Sequence, residues 1–260
     1  MFTVYHFLWL GVSAALIAGA LWLLRRRRPP LQRVLSVCCA LSVASELVKA
    51  LSVVEMVPSA DGSMLLPYIE LQHLPLHLCS IQILLIFYAR FARPGRGRTA
   101  VLAFMYPTCL IGAVLALAMP SIFSTSLPAS QAFAHPLAYQ FFLYHSMLVV
   151  LGAYIPLCGE VELRPKHYFS TLGILGAMAM ASLYLNSMFA AATYEDGELI
   201  SVEYATNFFF TYTPPLPIPL NSVGQWLAYL AVICLLAAAL IGLCYLPVFL
   251  KARRKAAAGR

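Results

Sequence analysis

Between Glu70 and Gln82 an otherwise oily run carries one carboxylate (Glu70), two imidazoles (His73, His77), a thiol (Cys79) and the carboxamides Gln72 and Gln82. A thiolate is a strong nucleophile, and a nearby imidazole can take its proton or pair with the anion. The same imidazole can later return a proton to a leaving group or activate an acceptor hydroxyl. Ionisable groups in apolar segments are costly and are normally held by a partner, a water-filled cavity or a function. The chain has no CxxC pair and no zinc-like Cys/His spacing, so neither a metal site nor a cofactor is expected.

The elements that must position these groups are membrane helices. Of 260 residues 62% are hydrophobic and 10% charged, and the mean hydropathy is +0.82. That composition excludes a soluble domain. Spanning takes about 20 apolar residues per helix, and seven segments qualify, at roughly 4–24, 33–57, 66–90, 99–119, 137–156, 168–190 and 224–249. The expected fold is all-α, a seven-helix bundle in which residues 1–260 form a single transmembrane domain. The outer-membrane barrel pattern is absent. Sixteen of the 17 basic residues follow segments one, three, five and seven, and the opposite loops hold none. The positive-inside rule then places the N-terminus outside and the C-terminus in the cytoplasm of a multi-pass cell-membrane protein. The net charge of +7 is accordingly a topology signal and gives no support to nucleic acid as a partner; membrane lipids are the expected partners. Segment one has its arginines after the apolar run, so it reads as a retained helix. None of the seven cysteines falls in an outer loop, and no disulfide framework is expected.

Depth along each segment follows from a rise of about 1.5 Å per residue. His77 and Cys79 fall within about 2 Å of the midpoint of segment three, with His73 and Glu70 about 7 and 12 Å further out. Glu46 lies near the middle of segment two with Lys49 one turn outward. Tyr144 and His145 sit near the middle of segment five, and Asn186 in the outer half of segment six. On a continuous helix Glu70, His73 and His77 share one face, while Gln72, Cys79 and Gln82 share another, about 200° away. The expected partner of Cys79 is therefore His145 from another helix, with His77 second. The outer loop 191–223 carries Asn207-Phe208-Phe209-Phe210 and then Pro214, Pro215, Pro217 and Pro219, which exclude a helix there.

Three stretches carry a resemblance: Leu74-Pro75-Leu76-His77-Leu78-Cys79, Tyr144-His145-Ser146, and Asn207-Phe208-Phe209-Phe210 with its following prolines. On them the chain resembles the bacterial YwaF family of integral membrane proteins, related to the eukaryotic transmembrane protein 164 group. In that family the last stretch is followed by a basic residue and proline, where this chain has Thr211-Tyr212-Thr213-Pro214. The resemblance implies a seven-helix bundle. Its eukaryotic branch implies acyl transfer onto lyso-phospholipids by a cysteine–histidine pair, with the cysteine at Cys79 and the histidine at His145 or His77. The leading expectation is a membrane-embedded lipid acyltransferase working through a Cys79 thioester on phospholipid or other acyl substrates. Glu46, Lys49, Glu70, His73, Gln82, Asn186 and Asn207 are the expected substrate-binding residues. The rival is a seven-helix transporter or ligand-binding protein built on the same Glu/Lys/His pocket.

Overall fold

The computed structural model describes residues 2–120, 122–125, 127–216 and 218–258. Pro217 of the proline run and Arg260 of the C-terminal basic group fall outside them. The chain is mostly helical, and among the described residues six helices are long and apolar enough to cross a membrane. In chain order these and their connections are α1 (Val4–Arg27), α2 (Leu31–Val53), a hairpin of β1 (Glu55–Pro58) and β2 (Leu65–Tyr68), α3 (Leu78–Phe91), α4 (Arg96–Ala118), the short α5 (Ile122–Thr125), α6 (Pro136–Leu157), α7 (Pro165–Met188), a second hairpin of β3 (Ala190–Glu195) and β4 (Glu198–Tyr204), and α8 (Val223–Ala258). The chain divides into two compact units.

The helix expected over 66–90 is corrected in its extent. Its first half is β2, a 3-10 turn at Leu71–His73 and an irregular stretch, and the α-helix begins only at Leu78. Two prolines explain this. Pro67 sits in the hairpin opposite Met56. Pro75 has no N–H to donate and disfavours helical backbone in the residue before it. Leu74 accordingly has φ −57° and ψ 144°, an extended conformation. The 14 residues of α3 span about 21 Å, short of a hydrocarbon core of about 30 Å.

The first unit runs to Ser52, then over Cys79–Thr171, and resumes at Leu240. Its core is the α4–α6 pair, which contributes the fully buried Phe104, Met105, Phe142, Leu148 and Leu151. The two helices meet at Gly152, where an added Cβ would stand 2.7 Å from the Leu110 backbone nitrogen and 3.0 Å from the Tyr106 carbonyl oxygen. Small residues at such crossings let membrane helices approach closely. Helix α1 packs on α6 through Trp9, which stacks on Phe142 and Phe133 and donates its indole N–H to the Ala132 carbonyl at 2.8 Å. The end of α8 is tied to α4 by Tyr245, whose hydroxyl donates to the Ala103 carbonyl at 2.8 Å, and by Tyr106, which donates to the Cys244 carbonyl at 2.6 Å.

The basic ends of α3 and α4 are clamped to α2 by hydrogen bonds. Arg98 donates to the Ala89 carbonyl and to Gln32, Arg90 donates to Ser36, and Gln32 donates to the Arg90 carbonyl. The first turn of α2 has unpaired N–H groups, as every helix start does. Glu160, from the α6–α7 connection, accepts the Leu31 N–H at 2.7 Å and caps it from 129 residues away. Glu160→Ala removes that acceptor and is expected to cost about 1 kcal/mol, read as a fall in Tm of about 2–4 °C.

The second unit comprises Val53–Leu78 and Leu172–Ala239. Its two hairpins are antiparallel, and β3–β4 has a register shift at Thr193/Tyr194. At the tip of the first hairpin Asp61 accepts from the Ser59 and Ser63 hydroxyls at 2.5 and 2.8 Å. Those bonds hold its carboxyl down at about 2.

Candidate functional site

The late start of α3 changes the position of Cys79. It lies in the first turn of a helix, not the middle of one. Helix N-termini present unpaired N–H groups and a positive partial charge. The backbone N–H groups of Ser80 and of Cys79 itself bear on the sulfur, and the Ser80 hydroxyl is 4.0 Å from it. The thiol is free and partly buried, as is that of Cys158 and Cys244; all seven cysteines are unpaired thiols. Eleven residues of helix separate Cys79 from Arg90, about 16 Å. That keeps the thiol deep relative to the basic helix ends.

Two other helices reach this thiol. From α6 the Tyr144 hydroxyl donates to the Cys79 carbonyl at 2.9 Å. From α2 Lys49 lies within electrostatic reach of Cys79 and forms a 2.6 Å ion pair with Glu46 at i, i+3. The Lys49 side chain is 14% exposed and Glu46 35%, and Glu46 also lies within electrostatic reach of Tyr144. Four residues before Tyr144, Gln140 donates to Ser45 at 2.8 Å and fixes the α2–α6 contact. Cys79, Lys49, Glu46 and Tyr144 thus form one constellation, held on three helices.

His145 is not bonded to Cys79. Its Nδ1 pairs with the Phe141 carbonyl one turn back at 2.7 Å, and its Nε2 is buried with no hydrogen-bond partner. The geometry of α6 explains why. Successive residues are about 100° apart, and residues seven apart share a face. His145 therefore shares the face of Gly152, which lies against α4, while the adjacent Tyr144 is turned to Cys79. Gln82 is also occupied elsewhere. It is fully buried, donates to Thr108 at 3.0 Å and accepts from the Cys109 thiol at 3.2 Å, locking α3 to α4.

Glu70, His73 and His77 belong to the second unit. The shared helical face expected for them is corrected, because none of the three lies in an α-helix. Glu70 accepts from the Gln72 amide. The His77 ring stands edge-on to Phe208 at 5.0 Å. Phe208 opens a loop that two asparagines shape. Asn186 of α7 is fully buried, donates to the Phe208 carbonyl and Thr211, and accepts from the Phe208 N–H and Thr206, all within 3.1 Å. Asn207 donates to the Thr213 carbonyl at 2.8 Å and accepts from the Tyr212 N–H at 3.1 Å. Between them Phe209 and Phe210 have φ of 58° and 53°, a region costly for bulky residues. The four bonds of Asn186 offset that strain. Asn186→Ala leaves buried partners unpaired and is expected to destabilise the fold by about 3 kcal/mol, measurable by denaturant unfolding.

Tyr144 joins the site beside His145, at the depth the sequence indicates, and Phe208 belongs to the Asn207-Phe208-Phe209-Phe210 run that the sequence marks without giving it a contact. Among the described residues no group of three or more His, Cys, Asp or Glu is placed to hold a metal ion.

Six long apolar helices with a half-length seventh carrying a thiol define a multi-pass helical membrane protein with a polar cluster inside it. The model of the TMEM164 family matches residues 1–245, and the chain belongs to that family. No curated protein and no solved structure matches it.

Proposed function

We propose that this protein is a thiol-dependent lipid acyltransferase with Cys79 as its nucleophile. The observation that carries the reading is the seat of Cys79, partly accessible in the first turn of α3 with Lys49 within electrostatic reach. The sulfur stands beside the first backbone N–H groups of α3 and within electrostatic reach of the Lys49 ammonium. The thiolate attacks the carbonyl carbon of an acyl ester. The ester C–O bond breaks, the leaving alcohol oxygen takes the proton that the base removed from the Cys79 thiol, and the acyl group stays on sulfur as a thioester. An acceptor hydroxyl, losing its proton to a base, attacks the thioester and releases Cys79. Tyr144 acts through the Cys79 backbone and is a positioning residue. His145 is the proposed base on the strength of its buried, unpartnered Nε2, which lies on the α4 face of α6 and must turn toward Cys79 to act. Glu46 sets the orientation of Lys49.

The same proposal makes the chain seven-pass, with the basic ends of its helices in the cytoplasm and the N-terminus outside. Helix α3 is too short to cross alone, and the irregular backbone before it is tolerable at depth only beside protein or a water-filled cavity. The direct test uses purified protein in liposomes containing a phospholipid with a labelled acyl chain and a lyso-phospholipid acceptor. Labelled diacyl product is the expected result. Absence of transfer from a panel of phospholipid donors would overturn the reading.

A further inference from the structure

Helices α1, α2 and α6 border an open groove of about 390 Å³ within the first unit, and Leu23, Val37 and Leu41 on its walls are exposed. Its walls are stripes at helical spacing: Ala20 and Leu23 on α1, Val37 and Leu41 on α2, Met147 and Val150 on α6. Arg33 stands at one end, and no carboxylate lines the groove. Arg33 is the basic residue among those that line the groove. The Arg90 and Arg98 guanidinium groups are used in the clamp of hydrogen bonds. Among the described residues, the only ion pairs are Lys49–Glu46 and Arg164–Glu162, so no acidic side chain neutralises Arg33. Along α2, Arg33 and Leu41 are about 12 Å apart. The groove also holds a buried hydroxyl: Ser146 lines it, is 4% exposed, and has no hydrogen-bond partner for its Oγ.

An apolar trough with an uncompensated cation at its mouth is complementary to an amphiphile with an anionic head and a hydrocarbon tail. We infer that the groove binds one anionic phospholipid, its phosphate on Arg33 and an acyl chain between α1, α2 and α6. Guanidinium suits this role, because its fork of donors pairs with phosphate oxygens. A zwitterionic lipid has the same tail and phosphate, but its own cation competes for that phosphate. The site does not depend on acyl transfer, since it uses none of the residues around Cys79.

The test is native mass spectrometry of the full-length protein in detergent, titrated with phosphatidylglycerol or with phosphatidylcholine of identical chains. The expected result is one retained phosphatidylglycerol, at roughly tenfold higher apparent affinity than phosphatidylcholine. Arg33→Gln should reduce phosphatidylglycerol to the phosphatidylcholine level, whereas Arg27→Gln should not. Val37→Trp, a change at an exposed position, should weaken both lipids by filling the trough. Inorganic phosphate and glycerol phosphate should not compete at millimolar concentration. Equal affinity for both lipids in the wild type, unchanged selectivity in Arg33→Gln, unchanged binding in Val37→Trp, or full competition by free phosphate would each overturn the assignment.

Discussion

Cys79→Ala is expected to lower acyl transfer at least about a thousandfold while the protein stays folded and inserted in the membrane. The reaction proposed has no other group that could carry the acyl chain, and deleting an enzyme's covalent nucleophile removes most of its rate advantage. Stability should change little, because the side chain is small and partly exposed and its named contact is the distant Ser80 hydroxyl. Cys79→Ser should be nearly as inactive. A serine hydroxyl gains far less from a positive environment than a thiol does, and no imidazole is bonded to it here. Lys49→Met should lower the rate by a smaller factor, on the order of tenfold, since one charge partner is lost and the helix N-terminus remains. His145→Asn decides whether the unpartnered imidazole takes part. A fall in transfer at unchanged Tm assigns it to the chemistry; a fall in Tm alone assigns it to α4–α6 packing.

The second large effect is on folding. Gly152→Ala is expected to destabilise the protein by about 2–3 kcal/mol, because the new Cβ meets backbone atoms of α4 at 2.7 and 3.0 Å. Backbone cannot rotate away as a side chain can, so α4 and α6 must part. Those two helices are the most buried of the candidate spans, and the displacement would reach Gln82 and Tyr144, which join α3 to them. Thermal unfolding should show Tm lower by on the order of 5–10 °C. Gly173→Ala and Gly176→Ala are the controls. Both lie inside α7 with nothing within 4 Å of the added methyl, so they should be neutral or slightly stabilising. If Gly152→Ala behaved like them, the close α4–α6 contact would be wrong.

Most of the helical architecture was legible in the sequence, because apolar runs of spanning length leave little choice of structure. Segments one, two and four to seven each correspond to a long helix. The third was misread because hydropathy does not register proline: the run over 66–90 is apolar enough, but Pro67 and Pro75 deny it helical hydrogen bonds. That one error propagated. The shared face of Glu70, His73 and His77 disappeared, and Cys79 moved from mid-helix to a helix N-terminus. Pro75 and Leu74 before it were the local signal. The choice of His145 over Tyr144 was beyond reach of sequence for a different reason. Both lie at the same depth, and the 100° between them is resolved only by which face of α6 meets α4. Gly152, seven residues on, held that information, but its partners Tyr106 and Leu110 are fixed by tertiary packing.

The account rests on a covalent acyl-enzyme at Cys79, and its most direct test is the intact mass of the purified protein. After incubation with a donor phospholipid and no acceptor, rapid acid quenching should preserve one acyl adduct. The adduct should be released by neutral hydroxylamine, map to the peptide containing Cys79, be absent in Cys79→Ala and disappear on adding lyso-phospholipid. Acyl transfer that proceeds with no adduct on Cys79, or that persists in Cys79→Ala, would contradict it.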